Sequence, residues 1–253
     1  MNQVNLRVGV VCINDGYYSV QLLEQLLKHC GNRIVFIAEI KTSGIEKKNF
    51  DVRIRELLVI ALLYGFSGIS AVLKSQLSGM RCFRELASSR EYVKANSPTD
   101  KEFILALKKA DLDVIIHQTP HRLPKNFLSI PKLGVWNRHC AQVPQYCGMY
   151  TPFWAWYTKE KTAGVSILEV GVGYDDGAIL SAKKVDILGL RFPCEILRLL
   201  MKESTQLLVD TILAQERLGI EKKQQQGERR YFSVPGWNVL LKAIYRMGLQ
   251  IVS

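Results

Sequence analysis

Three polar side chains in the second half of the chain carry groups that enzymes use to donate hydrogen bonds and move protons: Asn137, His139 and Asp175. Asn137 and His139 stand two residues apart at the end of an apolar run, so on a strand their side chains point the same way, with Arg138 opposite. Asp175 lies in the glycine-rich turn 171–177. A lone histidine is most often structural, but this asparagine and this aspartate favour a catalytic role for His139.

Short apolar runs predict the strands that must position these groups. Residues 112–116 read as a strand that ends at His117, and residues 133–136 as a strand that leads directly into the asparagine–histidine pair. Residues 164–170 and 178–185 read as two further strands joined by the glycine-rich turn. His117, at its strand end, is expected to be structural or to line a pocket.

The N-terminal part of the chain has the pattern of a parallel sheet. Residues 6–13 and 34–40 are apolar runs of strand length, and between them apolar residues at helical spacing cover 20–27 and stop at Gly31. Strand, helix and strand in this order form a βαβ unit. We therefore predict an α/β fold: a Rossmann-like, open, twisted and mostly parallel sheet with helices on both faces, plus a short helical C-terminal extension.

The predicted domains are one domain over residues 1–189, with a helical insertion at about 50–95, and a C-terminal helix and basic tail over 190–253. The helix is predicted over Pro193–Gln215, where apolar residues fall on one side. In open parallel sheets ligands bind beyond the carboxyl ends of strands. The loop after the first strand, Asn14, Asp15 and Gly16, is therefore either a plain turn or a phosphate-binding loop.

The composition favours anionic partners and a reducing compartment. Lys and Arg number 34 against 23 Asp and Glu, which gives the 253-residue chain a net charge of +11. Such a surplus suits phosphates, nucleotide-linked substrates, nucleic acid or acidic lipid. The 6 cysteines show no metal-binding spacing and no secretory signal opens the chain, so we expect free thiols, no metal and a cytoplasmic location. General nucleic-acid binding is not expected, since no RNA-binding motif interleaves aromatic and basic residues.

One uncharged segment stands apart from the alternating strands and helices. Residues 57–73 carry no charge over a length near the lower limit for a membrane span, roughly 17–25 residues, and glycines and serines dilute their second half. Three alternatives stay open: helices packed on the sheet or in a homodimer interface, a helix in peripheral contact with a membrane, or a span.

Three short motifs in the sequence resemble those of a known family. The order Asn-x-His at 137–139, Pro-x-Tyr-x-Gly at 144–148 and Asp-x-Gly at 175–177 resembles the 10-formyltetrahydrofolate-dependent formyltransferases, which act on methionyl-tRNA, glycinamide ribonucleotide or amino sugars. The resemblance covers residues 6–187 in organisation and 112–182 in motif. It implies a Rossmann-like catalytic domain that moves a formyl group from 10-formyltetrahydrofolate to a primary amine, without a metal.

The resemblance also implies roles for particular residues. Asn137, His139 and Asp175 match the family's catalytic residues: amide and imidazole N–H groups would stabilise an oxyanion, and the Asp–His couple would relay protons. The remaining site residues fall into two sets. The expected cofactor-binding residues are His121, Arg122, Leu123, Val170, Gly171, Gly173 and Tyr174, largely through main-chain groups, and the expected substrate-binding residues are Asn14, Asp15, Gly16, Tyr146 and Gly148.

The sequence departs from the family's pattern beside the catalytic residues. Cys147 stands where the family usually has arginine, Cys140 and Ala141 replace a Pro-Ser pair, and Gly171 replaces an acidic residue. These changes leave the three catalytic positions intact and alter the surroundings of the folate and of the substrate.

The acceptor predicted from the resemblance is the amine of a nucleotide-linked amino sugar. Methionyl-tRNA formyltransferases carry an additional C-terminal β-barrel, whereas residues 190–253 read as a helix and a tail. The alternatives are a small phosphorylated amine of the glycinamide ribonucleotide type and methionyl-tRNA. A non-enzyme alternative is an inactive folate-binding or membrane-docked partner protein on the same fold.

Overall fold

The computed structural model describes residues 5–41, 49–77, 83–88 and 90–252. In the first half of these ranges strands and helices alternate, apart from two consecutive helices, and a β-rich region and two C-terminal helices follow. In chain order the elements are β1 (Val8–Cys12), α1 (Tyr18–Cys30), β2 (Ile34–Ile40), α2 (Phe50–Leu77), α3 (Phe83–Ala87), β3 (Glu91–Ala95), α4 (Lys101–Lys109), β4 (Val114–Gln118), α5 (Lys125–Leu128), β5 (Val135–His139), β6 (Cys147–Gly148), α6 (Thr151–Tyr157), β7 (Thr162–Glu169), β8 (Ile179–Asp186), α7 (Pro193–Leu218), β9 (Tyr231–Phe232) and α8 (Trp237–Val252).

Seven strands form one mixed sheet in the order β3-β2-β1-β4-β5-β7-β8. The first five of these run parallel, and β7 and β8 continue the sheet antiparallel. This confirms the predicted Rossmann-like fold class and the βαβ unit at its start. Strand β3 was not predicted: it pairs with β2 at the sheet edge, so residues 91–95 of the segment expected to be a helical insertion are a strand. Its exposed edge position explains the weak apolar signal.

Helices cover both faces of the sheet, because side chains that alternate along the buried strands reach opposite sides. Val10 of β1 packs in the same cluster as α1 and α7, whereas its neighbour Val11 packs with α4 and α5. All five β1 residues are buried, as expected for a central parallel strand. Since Leu208 and Ile212 of α7 belong to the first cluster, the C-terminal helix is part of the sheet's own core.

Helix α2 contains the uncharged segment and is interrupted at Gly65, whose φ of 59° and ψ of −173° are not helical. The helix contacts α6, α7 and α8. Within the described residues, the stretch Phe50–Leu73 is long and apolar enough to cross a membrane, and 17% of its most apolar window is buried. The segment is therefore helical and packs on these helices through one side, where Val59 and Leu63 are buried, while Leu57, Phe66 and Leu73 are exposed. The dimer and membrane alternatives stay open for the exposed side.

A small second sheet joins the C-terminal segment to the middle of the chain. Strand β9 pairs with β6 in parallel, so Tyr231 lies opposite Cys147 and Phe232 opposite Gly148. The indole Nε1 of Trp154 in α6 also donates to the carbonyl oxygen of Ser233, at 3.0 Å. The polar stretch between α7 and β9 therefore brings the C-terminal segment back to the residues that follow β5.

Candidate active site

The candidate site lies where the carboxyl ends of β4 and β5 meet. His117 and Asn137 are direct neighbours in the parallel register of these strands. A cavity of about 850 Å³ opens beside them, a volume typical of small-molecule sites. Asn137, His139 and Asp175 all line this cavity. The fold thus brings together the three side chains on which the sequence hypothesis depends.

His139 is held by the turn that follows β5. Its Nε2 lies 2.8 Å from the carbonyl oxygen of Tyr146, and because a carbonyl oxygen only accepts hydrogen bonds, Nε2 carries a proton. The other ring nitrogen, Nδ1, lies 3.7 Å from Oδ1 of Asp175. Nδ1 is therefore the nitrogen that can gain and lose a proton, with a carboxylate positioned to stabilise the imidazolium.

Asp175 adopts a left-handed backbone conformation, with φ of 50°, which aspartate tolerates better than most residues. Its Oδ2 accepts a hydrogen bond of 2.7 Å from the backbone N–H of Gly148, so one carboxylate oxygen is fixed while the other faces His139. Gln225 donates to the carbonyl oxygen of Asp175 at 2.8 Å, and Arg229 donates to that of Tyr174. The C-terminal segment therefore holds the turn that carries the carboxylate.

Asn137 is positioned by the neighbouring strand. Its Nδ2 donates a hydrogen bond of 2.9 Å to the carbonyl oxygen of His117. An amide nitrogen carries two protons, so this bond orients the group and leaves a second N–H. Asn137 lines the cavity, and that second N–H can be donated to a ligand.

His117 lines the cavity and is buried, within the two alternatives that the sequence offered. Burial, with a smaller contribution from His121, lowers the pKa of His117 from its ordinary value of 6.5 to about 3. The imidazole is therefore neutral at physiological pH, and its Nε2 lies 2.8 Å from the Thr119 hydroxyl.

We expect this burial to make folding acid-sensitive. The unfolded chain binds a proton at His117 below pH 6.5 while the folded chain does not until about pH 3, so stability falls as pH falls through that window. One such proton contributes a slope of up to about 1.4 kcal/mol per pH unit. Urea unfolding at several pH values should show a smaller decline for His117→Gln, whereas His29→Gln, exposed on α1, should keep the parent's decline. If the stability of the parent and of His117→Gln fell equally with pH, His117 would not be a source of the acid sensitivity.

The residues expected to bind the folate all line the cavity: His121, Arg122, Leu123, Val170, Gly171, Gly173 and Tyr174. The guanidinium of Arg122 lies over the ring of Tyr174, 4.5 Å from its centroid, so the two loops meet. A Cβ at Gly171 or Gly173 would lie 2.4 Å or 2.3 Å from an oxygen of the Asp176 carboxylate, which would have to move. Volume and lining fit a pterin-bearing donor. In the described ranges no group of three His, Cys, Asp or Glu could hold a metal ion.

The first loop does not reach the cavity, contrary to the assignment of Asn14, Asp15 and Gly16 to substrate binding. None of the three lies among the cavity-lining residues in the described part of the chain. The Asp15 carboxylate accepts hydrogen bonds from the backbone N–H groups of Tyr17 and Ser19, each at 3.0 Å. The start of α1 is therefore occupied by the chain's own carboxylate, so this loop is a turn rather than an anion site.

Tyr146 also differs from its predicted role. Its ring stacks on Phe232, with centroids 4.8 Å apart, and its hydroxyl donates to Glu160 at 2.8 Å. The side chain lines a separate, smaller cavity of about 380 Å³, and only its carbonyl oxygen serves the site, by accepting from His139. Gly148 lines the main cavity, and its backbone N–H positions Asp175.

Several site residues were missed by sequence reasoning. From the N-terminal half and α7 they are Tyr18, Tyr64 and Leu197, and from β5 and its turn Arg138 and Tyr150, all of which line the main cavity. No local spacing could have joined them, because they come from five separate segments. The tail residues Gln225, Arg229 and Tyr231 had one signal, the Tyr-Phe-Ser-Val-Pro motif at 231–235.

The fold and the convergent asparagine, histidine and aspartate define a Rossmann-like domain with an acid–base site at the strand ends. The sequence matches the family described as Formyl transferase over residues 61–212, more than half of the chain. The chain belongs to the formyl transferase family. This confirms the resemblance found in the motifs.

Curated relatives include methionyl-tRNA formyltransferases. The one from Clostridium novyi (strain NT) is 36% identical over 114 residues, which are 45% of this chain and 37% of the relative. The one from Clostridium tetani (strain Massachusetts / E88) is 27% identical over 229 residues, 88% of this chain and 64% of the relative. The chain thus spans less than two thirds of these relatives' length.

Solved structures with the same fold include a sugar N-formyltransferase from Shewanella sp FDAARGOS_354. It is 13% identical, with a TM-score of 0.60 over 96% of this chain and 87% of that one. The N-formyltransferase from Helicobacter canadensis, solved with folinic acid and dTDP-3-aminofucose, gives 15% identity and a TM-score of 0.57 over 90% and 71% of the two chains. At these identities the likeness shows the fold.

Proposed function

We propose that this protein transfers a formyl group from 10-formyltetrahydrofolate to the primary amine of a nucleotide-linked amino sugar. The observation that carries the proposal is the convergence of Asn137, His139 and Asp175 at one cavity. An amide donor, a histidine with one free nitrogen and a carboxylate beside that nitrogen are the groups that acyl transfer to an amine requires.

His139 and Asp175 supply the proton transfer. As the amine attacks the formyl carbon, His139 accepts a proton at Nδ1, and the carboxylate 3.7 Å away stabilises the resulting imidazolium. When the bond between the formyl carbon and the donor's nitrogen breaks, the imidazolium can return this proton to the leaving nitrogen. The hydrogen bond from Nε2 to the Tyr146 carbonyl keeps the ring in this orientation throughout. Gly148 fixes the other carboxylate oxygen, so Asp175 remains directed at the imidazole.

Asn137 supplies electrostatic stabilisation. Its remaining N–H, on an amide oriented by the His117 carbonyl, can be donated to the negative charge that develops on the carbonyl oxygen under attack. A pre-positioned donor of this kind is worth about 10²- to 10³-fold in rate. When bound, the donor would supply the formyl group, held by residues 121–123 and 170–174 of the cavity wall.

The acceptor is proposed from the cavity and from the neighbours. A cavity of about 850 Å³ bordered by tyrosines and by a buried arginine suits a polar, anionic small molecule. Neighbouring structures include enzymes solved with dTDP-3-aminofucose and with dTDP. A second candidate, methionyl-tRNA, is favoured by the names of the sequence relatives and the net charge of +11. A third, the glycinamide ribonucleotide type, shares the fold.

Incubation of the purified protein with 10-formyltetrahydrofolate and a panel of acceptors tests the proposal. The panel should contain several nucleotide-linked amino sugars, glycinamide ribonucleotide and methionyl-tRNA, with tetrahydrofolate release as the readout. Amine-dependent release with the sugars supports the proposal. Release with only glycinamide ribonucleotide or only methionyl-tRNA would make that molecule the acceptor instead of the sugar. No release with any of them, together with tight binding of a folate analogue, would favour the non-catalytic alternative.

We also propose that the protein is cytoplasmic and docks on anionic membrane surfaces through α2 and α8. Both helices expose large apolar side chains, and they adjoin where the indole of Trp237 donates to Asp51. We call this the α2/α8 face: Leu57, Phe66, Ile69 and Leu73 from α2 and Trp237, Leu241, Ile244, Tyr245 and Leu249 from α8. Exposed Lys242 lies beside Leu241, as suits a helix at an anionic interface.

Co-sedimentation with phosphatidylglycerol vesicles tests this docking. Phe66 is 90% and Leu57 67% exposed, so changing both to serine should reduce the bound fraction about tenfold or more. The control pair is Leu188→Ser with Leu218→Ser, since these leucines are 71% and 88% exposed outside the α2/α8 face. A parent protein that stays in the supernatant contradicts docking. If this parent protein is a dimer in solution, and the changes at Leu57 and Phe66 make it a monomer, the α2/α8 face is a homodimer interface.

A further inference from the structure

Helix α2 contributes a wall to the main cavity, although the proposed chemistry gives this helix no role. Three of its residues line the cavity: Ile60, Leu63 and Tyr64. Ile60 and Leu63 present only hydrocarbon side chains. Within this wall, Tyr64 is therefore the residue whose side chain can form a hydrogen bond with a bound molecule.

Packing holds the ring of Tyr64 in place. The ring contacts that of the buried Tyr17 at the start of α1, with centroids 4.7 Å apart and an angle of 50° between the planes. One turn further along α2, a Cβ at Gly68 would lie 2.7 Å from Cβ of Tyr64 and 3.3 Å from Cζ of Tyr17. Glycine at this position therefore leaves room for the pair of rings. A side chain that is already ordered in this way loses little conformational entropy when it binds a ligand.

The hydroxyl of Tyr64 differs from those of the two other tyrosines that line the cavity near α2. The Tyr18 hydroxyl lies 3.1 Å from Sγ of Cys140, and the Tyr150 hydroxyl donates to Oε1 of Glu56 at 2.9 Å. In the described part of the chain the Tyr64 hydroxyl forms no hydrogen bond, and its oxygen retains accessible surface. It is therefore free to bind a ligand.

The three tyrosine hydroxyls lie in one region of the cavity wall. Burial is the main cause of the raised pKa of Tyr18 and of Tyr150, and the neighbouring Tyr64 raises both further. Burial, with a smaller contribution from Asp15, also raises the pKa of Tyr64. All three hydroxyls are therefore protonated and uncharged at physiological pH. Because each can donate and accept, this region suits a neutral hydroxyl group of a ligand.

We infer that the Tyr64 hydroxyl donates a hydrogen bond to a hydroxyl group of the acceptor sugar and so helps to select the acceptor. The inference rests on the proposed function, to which it adds a specificity-determining residue on α2. A site that hydrogen-bonds a substrate hydroxyl discriminates against an analogue without that hydroxyl, because the polar group of the site is then left unpaired. Tyr64 therefore favours sugar amines that carry the hydroxyl over amines that lack it.

Steady-state kinetics of Tyr64→Phe test the inference, since this substitution removes only the hydroxyl. With the nucleotide-linked amino sugars as acceptors, the KM for the acceptor should rise about threefold to tenfold, the net worth of one hydrogen bond. The kcat and the KM for 10-formyltetrahydrofolate should stay within twofold. A deoxy analogue without the recognised hydroxyl should be used equally by the parent and by Tyr64→Phe. Tyr157→Phe is the matched control, because Tyr157 is also half-buried but lines neither cavity, and it should behave as the parent does.

Calorimetric titration with the same sugars, without the formyl donor, separates this inference from the proposed function. If no acceptor is formylated but Tyr64→Phe weakens sugar binding, the proposed function fails and the contact with Tyr64 remains. If Tyr64→Phe leaves both KM and affinity unchanged, or if the parent binds none of the sugars, the inference is wrong even where another acceptor is formylated. Tyr64→Phe keeps the ring that contacts Tyr17, so it should fold and bind a folate analogue as the parent does. An equal loss of folate-analogue and sugar binding would contradict a contact specific to the acceptor.

Discussion

Replacing His139 with glutamine is expected to lower the turnover of formyl transfer about 10²- to 10⁴-fold, the usual contribution of a positioned acid–base group. Glutamine can still donate a hydrogen bond toward the Tyr146 carbonyl but has no nitrogen that takes up a proton near neutral pH. Steady-state measurement of tetrahydrofolate release, with donor and acceptor saturating, reports the change. Binding of a folate analogue should be nearly unchanged, because the pterin loops lie on other segments.

Two further variants separate chemistry from general damage. His29→Gln makes the same substitution at an exposed position of α1 and should turn over as the parent does. Asp175→Asn should lower turnover and change its pH profile, since it removes the carboxylate that stabilises the His139 imidazolium. A His139→Gln protein that keeps turnover within a few-fold of the parent would exclude His139 from proton transfer.

Replacing Gly148 with alanine is expected to reduce turnover at least about tenfold through the position of Asp175. Gly148 has a φ of 96°, and a Cβ there would overlap the carbonyl oxygen of Phe232 and press on the ring of Tyr231. Strand β9 would have to move away from β6. The Gly148 N–H that fixes Oδ2 of Asp175 would move as well.

Gly189→Ala is the matched control for this substitution. Gly189 also has positive φ, 87°, but a Cβ there meets nothing within 4 Å. It should therefore show only the backbone strain of roughly 1 kcal/mol in urea unfolding, with unchanged turnover. Gly148→Ala should show a loss of activity in addition to backbone strain. If both variants keep full turnover, the contact between β6 and β9 does not position Asp175.

Local sequence patterns determined most of the sheet. Strand β2 has the predicted limits, β1, β4, β7 and β8 each begin and end within two residues of prediction, and β5 continues three residues beyond its predicted end. This succeeds because the central strands are buried on both faces and therefore apolar throughout. Strand β3 escaped detection, since at the sheet edge it exposes Glu91 and Lys94 and keeps only Ala95 fully buried.

The three candidate catalytic residues could be found in the sequence because they belong to short motifs with a recognisable order. Two residues on one strand and one in a glycine-rich turn need no long-range information to be found. The acceptor side could not be predicted in the same way. From the sequence alone, either the Asp15 carboxylate or a bound phosphate could accept hydrogen bonds at the start of α1. The structure shows that the Asp15 carboxylate accepts them.

The sequence by itself determined the sheet, the family and the identity of the three reactive side chains, because these depend on periodicity and on neighbours in the chain. Tertiary structure alone decided what surrounds them. It carried Gln225 and Arg229 back to the turn of Asp175, turned the Tyr146 ring away from the main cavity, and buried Arg138 with no hydrogen-bond partner for its Nη2 among the described residues. These outcomes depend on packing between segments far apart in the chain, which local patterns do not record.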